Sequence, residues 1–570
     1  MKIFNKIFYL VGIVVILSIF ASCKKDFLDR PPESSITDAN FYKTDDQVRA
    51  GTAPLYNAVW FDYNDQAAWQ LGDFRGGSAY DAWFDNTNVK FNTTPDNAHN
   101  GAAWRSFFNV VAQSNLAIFN INRFAGPEVS ESAKKTAIAE ARFMRAVAYR
   151  FLVSNWGPVP IIENNFEHLN DTTIRRNTVS SVWRFITREM RAVAADLPAT
   201  ASQAGRVTKW TAEAMLARFY LTRAGVESTG GARKQEFLDS AKFFAADVIN
   251  NGPYSLLASY EDLFGWSEKK GIRYDNNKES IFELQWVFSG PDVWGTANSM
   301  PEYLAYSNEI AYGGWGNSKG ASWWILSLYD GLQPQPNGTL KGRTLDQRLH
   351  ATYMLPGFFY PDITKKSDKS QFRYPFVDAG GGANYAAVKK YVIGGPDDLG
   401  AAASQQRYPN DTYMMRLAEL YFIYAEATIG NGASTTDATA VSYFNKVHMR
   451  AGLPEWLVAS GPSPNGPLTM DALLNERFKE FAMEGMTWYD LVSLHYWNPQ
   501  KALNIINTQD RGLYYVVPDK MPEPTEWTFT KTSWYADRFA VANEGNFVMP
   551  IPAVEMSQAP NLQLPPVEYK

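Results

Sequence analysis

One cysteine, Cys23, is the whole thiol inventory of this 570-residue chain, so no disulfide can staple the fold and no thiolate cluster can nucleate it. A chain of this length must instead be held by a large apolar core. The position of the cysteine carries a second message. It follows a leader with Lys2 and Lys6, an apolar run from Ile7 to Phe20 and the small pair Ala21-Ser22. A basic start, a short apolar stretch and small residues before a cut describe a secretory signal peptide at 1–22 rather than a membrane-spanning helix. Phe20-Ala21-Ser22-Cys23 is where a bacterial lipoprotein signal peptidase cuts, which makes Cys23 the expected lipid-carrying first residue. Two or more acyl chains anchor stably where one holds only marginally, so the expected location is a membrane surface outside the cytoplasm.

No other apolar run is long enough to cross a bilayer. Lys plus Arg is 54 against Asp plus Glu 59, a net charge of −5 without a basic block, which gives nucleic-acid binding nothing to stand on. Aromatic residues make 15% of the chain, and their distribution matters more than their number. Rings at helical spacing read as core. Rings set among Gly, Asn, Asp and Ser have no amphipathic face to join.

The stretch 23–43 reads as a tether, polar from Lys24 to Ser35 and stiffened by Pro31-Pro32. An N-terminal helical block follows at 44–252. It opens on the capping box Thr44-Asp45-Asp46-Gln47, and its first helix runs to about Trp60 with a bend at Pro54. Residues 61–100 lose helical periodicity and read as a long functional loop. Helical spacing returns from Trp104, again from Glu131 to Asn155 where Phe143, Val147 and Phe151 recur every four residues, and then over 179–197, 208–224 and 234–250. The 253–409 stretch reads as an irregular, loop-rich insert with short strands such as Ser280 to Phe288. A C-terminal helical block and tail at 410–570 begins with helices predicted at Thr412 to Ile429, Asp437 to Ala451 and Leu468 to Leu494. The class is mostly α, with helix pairs near the length of about 34 residues that tetratricopeptide units use, although no self-similar repeat is legible.

Ala139-Glu140-Ala141-Arg142-Phe143-Met144-Arg145-Ala146, running on to Gly157-Pro158-Val159-Pro160, resembles the signature helix of the SusD/RagB family of surface nutrient-binding lipoproteins. Similar likenesses follow in family order: Cys23 to Asp29, Gly205-Arg206-Val207-Thr208-Lys209, Arg416-Leu417-Ala418-Glu419, Arg450-Ala451-Gly452-Leu453-Pro454, Asn475-Glu476-Arg477, Glu484-Gly485 and Pro550-Ile551-Pro552. The chain departs from the pattern at His448, Phe478, Thr487 and Ala559, all within scaffold motifs. The resemblance implies a SusD-like, tetratricopeptide-like scaffold carrying an irregular half. It also implies a lipid-anchored lid on the outer face of the outer membrane, over a SusC-like TonB-dependent β-barrel, capturing oligosaccharides or, in the RagB branch, peptides.

Sugar binding needs flat apolar faces for pyranose C–H surfaces and planar polar groups for the hydroxyls. Two regions supply both. Asp73, Arg75, Asp81 and Trp83 share the first long loop, and Trp294, Tyr312, Trp315, Asn317 and Trp323 crowd the insert, so these are the candidate glycan-binding residues. For a single Trp the alternative is packing beneath a loop. For the cluster binding is favoured, because Trp315 stands between Gly314 and Gly316 without apolar neighbours, and both loops are expected to converge on one platform.

Catalysis is not expected. Gly316-Asn317-Ser318-Lys319-Gly320 fits a nucleophile-elbow pattern but lacks the hydrophobic strand that must precede it. Glu476, Glu480 and Glu484 lie on one helix face, where they cannot flank a scissile bond from two sides, and pairing with basic groups is the expected use. The five histidines show no metal-ligand spacing, and neither metal nor cofactor is expected.

Overall fold

The computed structural model describes residues 37–569 apart from 82–86, 170, 291, 308, 311–313, 317, 377–383, 401–402, 459–463 and 533–537. The leader, Cys23 and most of the tether therefore lie outside the described residues, as do Trp83, Tyr312 and Asn317.

Helices of eight residues or more are numbered here. α1 is Asp45–Thr52, α2 Ala98–Phe124, α3 Glu131–Trp156, α4 Val179–Asp196, α5 Lys209–Val226 and α6 Gln235–Asn251. After a strand-bearing stretch come α7 Leu417–Ile429, α8 Ala438–Arg450, α9 Met470–Phe481, α10 Thr487–His495 and α11 Pro499–Thr508. Side chains cap most of these starts. Thr44 Oγ1 accepts from the Gln47 amide at 3.2 Å while Gln47 Oε1 accepts from the Thr44 amide at 3.1 Å, the predicted capping box. Ser130, Thr178 and Thr208 cap α3, α4 and α5 in the same sense.

Each helix from α2 to α6 packs on the next, and α6 packs on α7, which packs on α8. The tetratricopeptide-like stack therefore continues across the 252–416 stretch as if it were absent. That stretch is closed at its base by an antiparallel pair, Ser280–Leu284 on Thr412–Arg416. Residues 412–416 are thus strand rather than the predicted first turn of α7. Thr412 and Tyr413 face Leu284 and Glu283, and a strand partner outweighs helix propensity there.

The core uses the rings that recurred at helical spacing. Phe107 of α2 stacks on Phe151 of α3 with centroids 5.0 Å apart, and Trp60, Tyr63, Trp156 and Tyr489 surround the pair. Beside it lies a charged interior. Glu480 receives Arg416 and Arg450 at 2.9 and 2.7 Å, Glu476 receives Arg348 and His448 at 2.8 and 3.0 Å, and Glu484 receives Arg416 and Lys390 at 2.7 and 2.9 Å. Burial alone would raise Glu480; Arg450, Arg416 and Arg348 outweigh it and hold that carboxyl below the usual range. The three glutamates are structural counter-charges, and His448 serves as one of their partners.

Two further expectations are corrected. The first part of the predicted 61–100 loop is helical, with π-helical turns at Tyr63–Ala67 and Gln70–Phe74. The predicted helix from Leu468 to Leu494 breaks between α9 and α10, where Met483 and Gly485 take positive φ of 64° and 70°. The two departures meet in space. A Cβ on Gly72 would collide with the Gly485 backbone, so the π-helical segment seats directly on the break.

Candidate functional site

Trp294 and Trp315 are 48% and 42% exposed, large apolar surfaces left in solvent by a protein that buries most of its rings. Each is fixed from behind. The Trp294 ring meets Phe61 edge-on with centroids 5.0 Å apart, and the Arg407 guanidinium lies over it at 5.2 Å. Arg407 is itself held by the carbonyls of Val293 and Gln405, at 2.9 and 3.0 Å. The Trp315 amide donates to the Glu302 carbonyl at 2.9 Å, and its ring stands edge-on to Tyr303 at 5.3 Å. Gly316 next to it presses on Leu304, where any side chain would collide with the carbonyl.

The segments that carry the two indoles are bonded to one another. Gln406, next to Arg407, donates its amide to Glu302 Oε2 at 2.5 Å and its side-chain amide to the Tyr303 hydroxyl at 3.4 Å. A pair of main-chain bonds joins Asn298 to Tyr408, at 2.8 and 2.9 Å, and locks the Trp294 side to the Arg407 side. Ser299 Oγ donates to Asp65 Oδ1 at 2.6 Å and ties the whole to the Tyr63–Ala67 turn. Indole faces, a guanidinium, a phenol and an amide are therefore linked through one set of contacts, and groups of these kinds are what a sugar chain requires.

The first loop reaches the same place through its strand. Ala79–Asp81 pairs antiparallel with Lys319–Ala321 in a four-stranded sheet, with Asp81 opposite Lys319. Lys319 Nζ lies 3.5 Å from Asp81 Oδ2 and donates to the Trp315 carbonyl at 3.1 Å. Burial lowers the Lys319 ammonium, and Asp81 pulls it the other way. Trp83 follows Asp81 by two positions, in the undescribed 82–86 stretch.

Four of the predicted residues are buried, Asp81 among them at 4% exposed and turned to Lys319. Asp73 is fully buried and takes Ser78 Oγ and the Met483 amide on Oδ1, at 2.8 and 2.7 Å, and the Gly485 amide on Oδ2 at 2.8 Å. Burial pushes it up to about 7 against those three donors. Arg75 is buried under Trp488 and Phe91, its guanidinium 4.6 and 4.8 Å from their ring centroids, and burial pushes it down to about 9. Trp323 is 8% exposed, enclosed by Tyr514 and Lys531. All four have their polar atoms or faces committed inward, which leaves them no surface for a ligand.

Comparison with known proteins agrees with the stacked helices and the interrupting stretch. A sequence profile described as the SusD family matches residues 278–566, and another described as starch-binding associating with outer membrane matches residues 26–221. A SusD-like protein of Bacteroides ovatus is 34% identical over 582 residues, spanning 100% of this chain and 99% of its own length. The chain belongs to the SusD family. The starch-binding protein SusD of Bacteroides thetaiotaomicron is 24% identical over 395 residues, 64% of this chain and 65% of its own. Among solved structures, a crystal structure with xylogluco-oligosaccharide matches at 31% identity and a TM-score of 0.77, covering 92% of this chain and 99% of that one.

In this SusD-family chain, Tyr303, Gln406 and Arg407 are neighbours of the two indoles that sequence reasoning missed. Gln405-Gln406-Arg407-Tyr408 ends the irregular insert with a planar cation and two amides, a signal that was legible but lacked an aromatic run. Arg511 is a second omission. It reaches the carbonyls of Phe74, Arg75 and Val89, at 3.3, 3.1 and 2.8 Å, and so closes the base of the loop that carries Trp83.

Proposed function

We propose that this protein captures oligosaccharides at the cell surface without cleaving them, on the platform of Trp294, Trp315, Tyr303 and Arg407, with Trp83 contributed by the first loop. The pair of exposed, back-supported indoles carries the reading, because pyranose rings stack on such faces and the adjacent guanidinium and amide can take hydroxyls. The likeness to a crystal structure holding xylogluco-oligosaccharide supports a glycan as the ligand class. Membership of the SusD family supports the setting: an outer-membrane lipoprotein, acylated at Cys23 and facing the exterior, that hands its ligand to a SusC-like TonB-dependent β-barrel. Affinity on such a tethered lid can be modest, since proximity to the transporter raises the effective concentration.

Affinity-gel or glycan-array screening of the purified chain tests the reading. Alanine at Trp83, Trp294 and Trp315 together should abolish glycan retention. Unchanged retention in that variant removes the platform assignment, and indifference to every polysaccharide with retention of oligopeptides makes the ligand a peptide, as in the RagB branch. Deletion of the protein should impair uptake at low ligand concentration more than at saturation. Equal impairment at both would leave it a structural part of the transporter complex.

A further inference from the structure

The charged interior holds a space that no protein group fills. Where α3, α5, α7, α9 and α10 meet, a cavity of about 30 Å³ is lined by Arg150, Arg218, Glu419, Glu426, Arg477 and Asp490 among others. That is room for about one ion or one or two waters.

Three guanidiniums and three carboxylates line it, but one of the carboxylates is taken up by a cation from outside. Arg218 grips Glu419 with both Nε, at 2.7 Å, and Nη2. Arg477 grips Asp490 with Nε and Nη2, at 3.1 and 2.6 Å. Glu426, the remaining carboxylate, is engaged from outside by Arg233 at 2.7 Å. Nothing is left for Arg150, whose guanidinium lies on the rings of Phe151 and Tyr489, 4.5 and 4.3 Å from their centroids. Four guanidiniums thus share three carboxylates. Nη1 of Arg150 and Nη1 of Arg477 are buried with no hydrogen-bond partner among the described residues, and both side chains are more than nine-tenths buried. An unpaired charge in such a place is costly, and burial pushes Arg150 down to about 10.

We propose that this cavity is a binding site for one small monovalent anion, chloride in the natural setting, held by Nη1 of Arg150 and Nη1 of Arg477. A water molecule there would accept the two N–H groups but leave the surplus charge in place. A halide does both, whereas phosphate or sulfate brings more charge and more bulk than the space takes. The site is separate from the indole platform, so its failure and that of the proposed glycan role are read by different measurements.

Crystals of the full chain grown in bromide should carry an anomalous peak in this cavity, within hydrogen-bond reach of both Nη1 atoms; an absent peak makes the space a water site and overturns the proposal. In solution the melting temperature should rise with halide at constant ionic strength balanced by gluconate. Arg150→Met should erase that dependence while leaving glycan retention unchanged. Equal melting in halide and gluconate, or a halide response that survives in Arg150→Met, would also overturn it. The bromide experiment needs no variant and decides the matter should Arg150→Met fail to fold.

Discussion

Two stretches of this chain are built from the same residue types and end in opposite places. Residues 61–81 and 294–316 both scatter aromatics among Gly, Asn and Ser. The first sends Trp69, Asp73, Arg75 and Tyr80 into the interior, and the second leaves Trp294 and Trp315 in solvent. The difference lies in what closes over each. The π-helical segment is covered by the α9–α10 break, which offers Asp73 two amides and lets Gly72 touch Gly485. The 294–316 stretch is held from beneath by the Asn298–Tyr408 and Trp315–Glu302 main-chain bonds, which consume its backbone and spare its rings. Composition says that a segment has no amphipathic face. Which element comes to lie on it decides whether its rings are core or platform.

Removing the closure of the first stretch should have the largest effect. Asp73→Ala strips the partners from two buried amides and a hydroxyl, and should lower stability by about 3 kcal/mol in urea unfolding. Glycan affinity of the folded fraction should not change; a parallel loss of affinity would mean that the two stretches are coupled rather than contrasted. At the platform the pattern should reverse. Trp294→Ala and Trp315→Ala together should weaken glycan binding by about 2 kcal/mol in calorimetry while the melting temperature hardly moves, because half-exposed rings contribute little core. A large drop in melting temperature would place these rings with the buried set.

The pH dependence sharpens the contrast further. Burial holds Asp73 near 7 in the folded chain, above the value of about 4 for an unfolded aspartate, so folding takes up a proton between these values. The stability this confers is complete below about pH 4 and is lost as pH rises through 7, at no more than about 1.4 kcal/mol per pH unit for one proton. Asp73→Asn should flatten that part of the wild-type profile, and identical profiles would assign the proton to other groups. The smallest effect belongs to Arg407→Met, which removes the cation above Trp294 and should cost about 0.5–1 kcal/mol of glycan affinity.

Much of the scaffold was legible because its signals are local. The Thr44–Gln47 capping box, the four-residue rhythm of Phe143, Val147 and Phe151, and the shared face of Glu476 and Glu480 all sit within a few turns of helix, whereas Glu484, expected on that face, lies past the helix end at Phe481. The partners of those glutamates were not legible, since Arg348, Lys390 and Arg416 arrive from elements 60 or more residues away. The same limit explains the site. Trp294 and Trp315 stand out because glycines flank them, whereas the burial of Asp73, Arg75 and Trp323 depends on residues near 485, 488 and 514. Arg407 comes to Trp294 beside the Asn298–Tyr408 joint, and Tyr303 comes to Trp315 through the Trp315–Glu302 main-chain bond.

The Asp73–Met483 bond spans 410 residues of sequence, which bears on the order of assembly. A ribosome delivers the carboxylate long before the amides that receive it, and bringing such distant groups together must await most of the remaining chain. Until residue 485 emerges, the early helices carry an acidic group suited to water rather than to burial. Nascent chains halted short of that point should stay open to proteases around residue 73, and closure of the molecule should be a late, concerted event.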